Sequence, residues 1–153
     1  MAFLRPLSRD DGGLLKPVTG ADVLTTGLAP IAINNAAAQT LTAAALTAGV
    51  ILRQGAGAGL TDTTDTAVNI MQGLYGNTGA SPEVGETFRV LFSNQTANAI
   101  TLAGGTGVTV SGNTSLPANG LRTLLFVCTA KGTQTYNNGI YTNVGATFNC
   151  IAL

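Results

Sequence analysis

The stretch "VILRQGAGAGLTDTTDTAVNIMQGL", residues 50–74, decides the fold. A β-branched start, a glycine-rich loop and a segment of helical period follow one another, the order in which nucleotide-binding folds hold a phosphate. The spacing excludes that. A dinucleotide fingerprint needs G-x-G-x-x-G, the third glycine allowing close helix packing. Gly55 and Gly57 fit, but Leu60 stands at the third position and Gly59 comes one residue early. A Walker loop ends in Gly-Lys-Ser/Thr, and no lysine lies between Lys16 and Lys131. The helical segment also begins too far past the last glycine for its N–H groups to meet an anion held in the loop. The stretch reads instead as a strand over 50–54, a flexible surface connection, and a helix over 66–74. Ala67, Ile70, Met71 and Leu74 share one face of that helix. Thr63, Thr64 or Asp65 can cap its start, and Gly73 with Gly76 can stop it. Asp62 and Asp65 flank the start, where the helix dipole favours carboxylates, and they lack the spacing of a calcium loop.

Downstream, strands dominate. In "ETFRVLFSN" Phe88, Val90 and Phe92 alternate with Arg89, Leu91 and Ser93. "ANAITLAGGTGVTVSGN" holds two short strands with a glycine turn between them. In "LRTLLFVCTA" both alternating sets are apolar, Leu124, Phe126 and Cys128 on one side and Leu125 and Val127 on the other, so this strand is expected to be covered on both faces. Asn138-Gly139 is the turn signal of a hairpin, and "ATFNCIAL" closes the chain as a strand. Upstream, 39–42 reads as a short strand and "AAALTAG" as a single helical turn. Short strands with glycine-rich turns predict a mainly β fold, an antiparallel β-sandwich or jelly-roll-like barrel with one short α-helix.

Residues 1–31 differ from the β-domain of 32–153. They carry six charged side chains (Arg5, Arg9, Asp10, Asp11, Lys16 and Asp22), and Pro6, Pro17 and Pro30 punctuate them. No period persists, so an extended N-terminal arm is expected, with Leu14, Leu15, Val18, Val23 and Leu24 as apolar anchors for docking.

Seven basic and seven acidic side chains make the chain neutral and only 9% charged, against about 25% in typical soluble domains. So few charges predict a surface that largely meets other subunits. Leu14, Leu15, Val18, Val23, Leu24, Leu125 and Val127 are the candidate subunit or capsid interface residues. Neutrality argues against a nucleic-acid partner, and no run of about 18 apolar residues suggests a membrane span. "MAFLRPLSRDD" breaks the apolar run of a signal peptide, so the chain is expected to be made in a cytoplasm, with Cys128 and Cys150 as reduced apolar fillers. With no histidine, Ser-His-Asp and Cys-His catalysis and most zinc sites are excluded. Glu83 and Glu86 in "SPEVGE" read as solvated turn residues rather than a catalytic acid pair. No catalytic, cofactor-binding or metal-binding residues are expected.

"TDTTDTAVNIMQGL", "VGETFRVLFSNQTANAITLAGGTGVTVSG" and "LPANGLRTLLFVCTA" resemble stretches of the head decoration (cement) proteins of tailed bacteriophages and related virion β-domains, over about residues 40–130. The resemblance lies in turn and strand features. It implies a non-enzymatic virion structural protein on the capsid surface, a homo-oligomer, commonly a trimer, that contacts the major capsid protein and cements the lattice without a cofactor. A tail-fibre or receptor-binding β-domain of a phage is the alternative.

Overall fold

The computed structural model describes residues 30–76 and 79–153. The expected arm thus lies outside the described residues, apart from its last two positions. Ile31 already belongs to the first strand.

The chain is mainly β. β1 (Ile31–Asn34), β2 (Thr40–Leu41), β3 (Val50–Gln54), β4 (Leu60–Thr64), β5 (Thr87–Asn94) and β6 (Ile100–Ala103) alternate between two sheets. A six-stranded sheet has the order β1-β3-β5-β9-β12-β7, with β7 (Val108–Gly112), β9 (Gly120–Ala130) and β12 (Thr147–Ala152). A four-stranded sheet has the order β2-β4-β6-β8, with β8 at Ser115–Leu116. β10 (Thr133–Asn137) and β11 (Ile140–Val144) form a separate hairpin.

The sheets are mixed rather than purely antiparallel. β1, β3 and β5 run parallel, as do β2, β4 and β6. Three passes therefore stack: each crosses from the six-stranded to the four-stranded sheet through a short corner, 35–39, 55–59 or 95–99. The opening stretch is the middle pass. Its glycine-rich corner is a packed layer, not a flexible surface connection: Gly57 N donates to Ala36 O at 3.2 Å on one side, and Asn98 Nδ2 reaches Ala56 O at 3.1 Å on the other. Gly55 has φ +70, and a Cβ there would lie 2.5 Å from Asn34 Oδ1. Gly55 and Gly57 answer to close stacking, and Gly59 to its positive φ of +68. What reads in sequence as a loop running into a helix contains a further strand, β4, short and threonine-rich.

Two helices return the chain at the opposite end. α1 (Ala43–Thr47) is capped by Thr42, and α2 (Ala67–Tyr75) by Thr66, whose hydroxyl accepts from Asn69 N at 3.2 Å. Ala67, Ile70 and Met71 of α2 are buried, as the periodicity predicts. Gly76, at φ 58, ends the helix. Gly73 has another role: a Cβ there would meet Ala43 Cβ and Thr47 Cγ2 at 3.2 Å, so it lets α2 pack closely on α1.

Asp65 joins both helix starts. One carboxylate oxygen accepts from Ala43 N at 2.8 Å, the other from Thr66 N at 2.8 Å and Asn69 Nδ2 at 2.7 Å. Asp65→Ala is expected to cost about 2 kcal/mol in chemical denaturation, since it removes a cap shared by two helices. Calcium or magnesium should leave the melting temperature unchanged.

The core lies between the sheets. Phe88 stacks on Phe126 with ring centroids 4.6 Å apart, and Phe148 meets both edge-on. "AGGTG" is not a hairpin turn, because β6 and β7 lie in different sheets. Within it only Gly107 has positive φ; Gly104 and Gly105 are there because a Cβ would collide with Val108 O and Thr64 O. Asn138 and Gly139 both have positive φ, as the hairpin signal requires.

Cys128 and Cys150 are free thiols buried in the core. Desolvation raises the pKa of both, that of Cys150 to about 12. Burial therefore favours the neutral thiol. This contribution to stability is complete below the ordinary thiol value of 9.0 and is lost as pH rises from there toward about 12. Native protein at pH 8 is expected to react with thiol reagents far more slowly than denatured protein, in which both thiols should titrate.

Candidate functional site

The alternation read in β9 places its residues as follows. Leu124, Phe126 and Cys128 face the core. Leu125 and Val127 point the other way and are half-buried. The expected second covering layer does not exist among the described residues: β9 packs on β5 and β12 within its sheet and on β8 of the second sheet. Among the described residues the outer side of the six-stranded sheet thus has no covering layer.

Register defines its rows. Val50 pairs with Leu91, and Leu91 with Thr123. Arg89 pairs with Leu125, and Leu125 with Ile151. Thr87 pairs with Val127, and Val127 with Asn149. Toward one end Leu52 pairs with Ser93, which pairs with Leu121. On this face apolar pairs such as Val50–Leu91 and Leu125–Ile151 are interspersed with Thr87, Ser93, Thr123 and Asn149, and Arg89 is its charge. Leu121 is 60% exposed. The other interface candidates, Leu14, Leu15, Val18, Val23 and Leu24, lie outside the described residues.

Residues that did not stand out in sequence hold this face in shape. Arg53, on β3, is fully buried and uses all five of its N–H donors. Nε donates to Asp62 Oδ2 at 2.7 Å, and Nη2 contacts Oδ1 at 3.4 Å. The remaining donors meet the carbonyls of Asn35, Gln54 and Ala37 at 2.7–2.8 Å. Asp62 also accepts from Gln39 N at 2.8 Å. Asp62 is therefore not a helix-start residue. It is a buried counter-ion on β4, and the pair pins the first and second corners together. Strand alternation carried the signal: Arg53 shares a face with Ile51, so a charge had to enter the core and find a partner.

In the next pass Asn94 occupies the position that Arg53 occupies in the one before. Its amide donates to the carbonyls of Asn98, Leu116 and Pro117, and its carbonyl accepts from the Thr96 amide and hydroxyl. It locks the third corner to the turn between β8 and β9.

Glu83 and Glu86 sit in the turn before β5, as expected. The Glu83 amide donates to the Glu86 carboxylate, and the exposed Glu83 carboxylate pairs with Lys131 at 3.1 Å. Among the described residues no group of three or more His, Cys, Asp or Glu comes together as a metal site, and no helix is long and apolar enough to cross a membrane. The hairpin β10–β11 lies outside both sheets and packs on α2 through β11, with Tyr136 63% exposed and its ring 4.6 Å from that of Tyr141.

Comparison with protein-family models, curated proteins and solved structures finds no match.

Proposed function

We propose that this chain is a non-enzymatic virion structural protein that decorates and cements a phage capsid lattice as a homo-oligomer, a trimer by the resemblance noted above. The observation that carries this is the outer face of the six-stranded sheet, uncovered among the described residues. A weakly charged sheet face with adjacent apolar pairs, Val50–Leu91 and Leu125–Ile151, suits association with another protein surface. The buried polar side chains support the same reading. Arg53 and Asp62 spend their hydrogen-bonding groups on backbone and on each other, and Asn94 spends its own on backbone and the Thr96 hydroxyl, which makes a rigid scaffold.

The reading predicts an oligomer at micromolar concentration by light scattering; a stable monomer would overturn it. Leu125→Asp places a carboxylate in the middle of the face and should abolish assembly. Because Leu125 points away from the core, circular dichroism should show the variant still folded. A fully assembled Leu125→Asp protein would show that this face stays in water. The hairpin with its exposed Tyr136 favours the second reading, a tail-fibre or receptor-binding β-domain. Antibody labelling of particles in negative stain separates the two, with label on heads for decoration and on tails for the alternative.

A further inference from the structure

We propose that Asn138-Gly139, at the tip of the β10–β11 hairpin, is a site of spontaneous deamidation that loosens the hairpin, and that the fold shields the same dipeptide at Asn119-Gly120. The inference stands apart from the function proposed above.

The reaction needs only hydroxide and water. Hydroxide takes the proton from the backbone nitrogen of the residue after the asparagine, and that nitrogen attacks the side-chain Cγ. A nitrogen–carbon bond forms, the Cγ–Nδ2 bond breaks, and ammonia leaves with a proton from water, which restores the hydroxide. Water then opens the succinimide ring at either carbonyl, giving aspartate or isoaspartate. A following glycine favours the attack, because no Cβ shields its nitrogen and its backbone turns most freely. The chain holds two Asn-Gly pairs, Asn119-Gly120 and Asn138-Gly139, and by sequence they are equals.

Exposure and φ do not separate them either. Both asparagines are exposed, and both have φ 49. The backbone around the attacking nitrogen does. The Gly120 N–H donates to Pro117 O at 3.2 Å, and a Cβ on Gly120 would lie 2.5 Å from Pro117 Cγ, so this nitrogen is held and crowded. Asn119 is fixed in turn by its own N–H, which donates to Thr96 O at 2.9 Å. The Gly139 N–H donates to no backbone group among the described residues, and the space where its Cβ would stand is empty to 4 Å.

The cost of opening separates them further. Gly120 begins β9 and pairs with Asn94, whose amide holds the carbonyls of Leu116 and Pro117. Freeing Gly120 therefore breaks into the buried third corner. The hairpin lies outside both sheets, and every residue of β10 is exposed. Its tip can open while the core stays shut, and such segments open at low free energy. Deamidation there adds a carboxylate to a chain with no formal net charge. Isoaspartate also lengthens the main chain by one methylene. A two-residue turn sets the pairing of Asn137 with Ile140 and of Tyr136 with Tyr141, so the longer chain disrupts that register and the contact of the tyrosine rings.

The test incubates the full wild-type chain at mildly alkaline pH, native and in urea, and follows both dipeptides by peptide mapping and mass spectrometry. In urea the two should convert alike. In the native protein Asn138 should convert at least about tenfold faster than Asn119, the difference reflecting the cost of opening, and more slowly as pH falls. Equal native rates, or an Asn138 that converts only in urea, overturn the proposal. Ion exchange then isolates the native protein modified at Asn138. Hydrogen exchange over 133–144 should be faster in it than in fresh protein, with β5 and β9 unchanged. A modified hairpin as protected as the fresh one would show that deamidation does not loosen it.

Discussion

Arg53→Ala is expected to cost about 3–5 kcal/mol of stability, the range for breaking a buried ion pair by removing one partner. The variant strands Asp62, fully buried, with Gln39 N as its remaining donor. It also leaves the carbonyls of Asn35, Ala37 and Gln54 without the donors that held the corners together. Two-state domains have only about 5–15 kcal/mol in total, so Arg53→Ala should unfold near the working temperature or fail to accumulate as soluble protein. Asp62→Ala should be comparably damaging, because the guanidinium is then the orphan. The discriminating variant is Arg53→Met with Asp62→Leu. If charge burial dominates, the double change is less harmful than either single, since no unpaired charge remains. If the guanidinium's hydrogen bonds to the corners dominate, the double is as unstable as Arg53→Ala. Urea midpoints of the four proteins separate these outcomes, and an Arg53→Ala midpoint near wild type would refute the structural role of the pair.

Outside the ion pair, Asn94→Ala should be the most damaging single change, at about 3 kcal/mol. The alanine removes the donor to three carbonyls and the acceptor for the Thr96 amide and hydroxyl, at a site 1% exposed. Leaving one buried polar group unsatisfied costs about 1–3 kcal/mol, and water can reach only the rim of this corner. Asn94→Asp tests the donor half alone: it keeps an acceptor for Thr96 but turns an oxygen toward the carbonyls of Leu116 and Pro117. It should be at least as unstable as the alanine variant. Melting temperatures and hydrogen exchange over 94–98 and 116–119 check this, and an Asn94→Asp protein as stable as wild type would show that the amide is dispensable.

Local chemistry made several elements readable from the residues alone. Alternation located β5 and β9, because in a strand every second side chain meets the same environment, and a β-branched start bordered by glycine located β3. Helical spacing located α2 to within a residue at either end, and Asn138-Gly139 located the hairpin turn, whose positive φ values few other residues adopt. Alternation also separated Leu125 and Val127 from the core residues of β9, although the cover expected on their side is not present among the described residues. What lay beyond reach was pairing at a distance. β4 was hidden because "LTDTT" is polar; it forms a strand through its parallel neighbours β2 and β6, not through its own pattern. The direction of β1, β3 and β5 follows from corners that stack on one another, a contact between residues some twenty to forty positions apart. Asp62 looked like a helix-start carboxylate from its neighbours in the chain. Only the approach of Arg53 from the adjacent strand makes it a buried counter-ion, because the cost of burying either charge is offset by a partner that local sequence does not reveal.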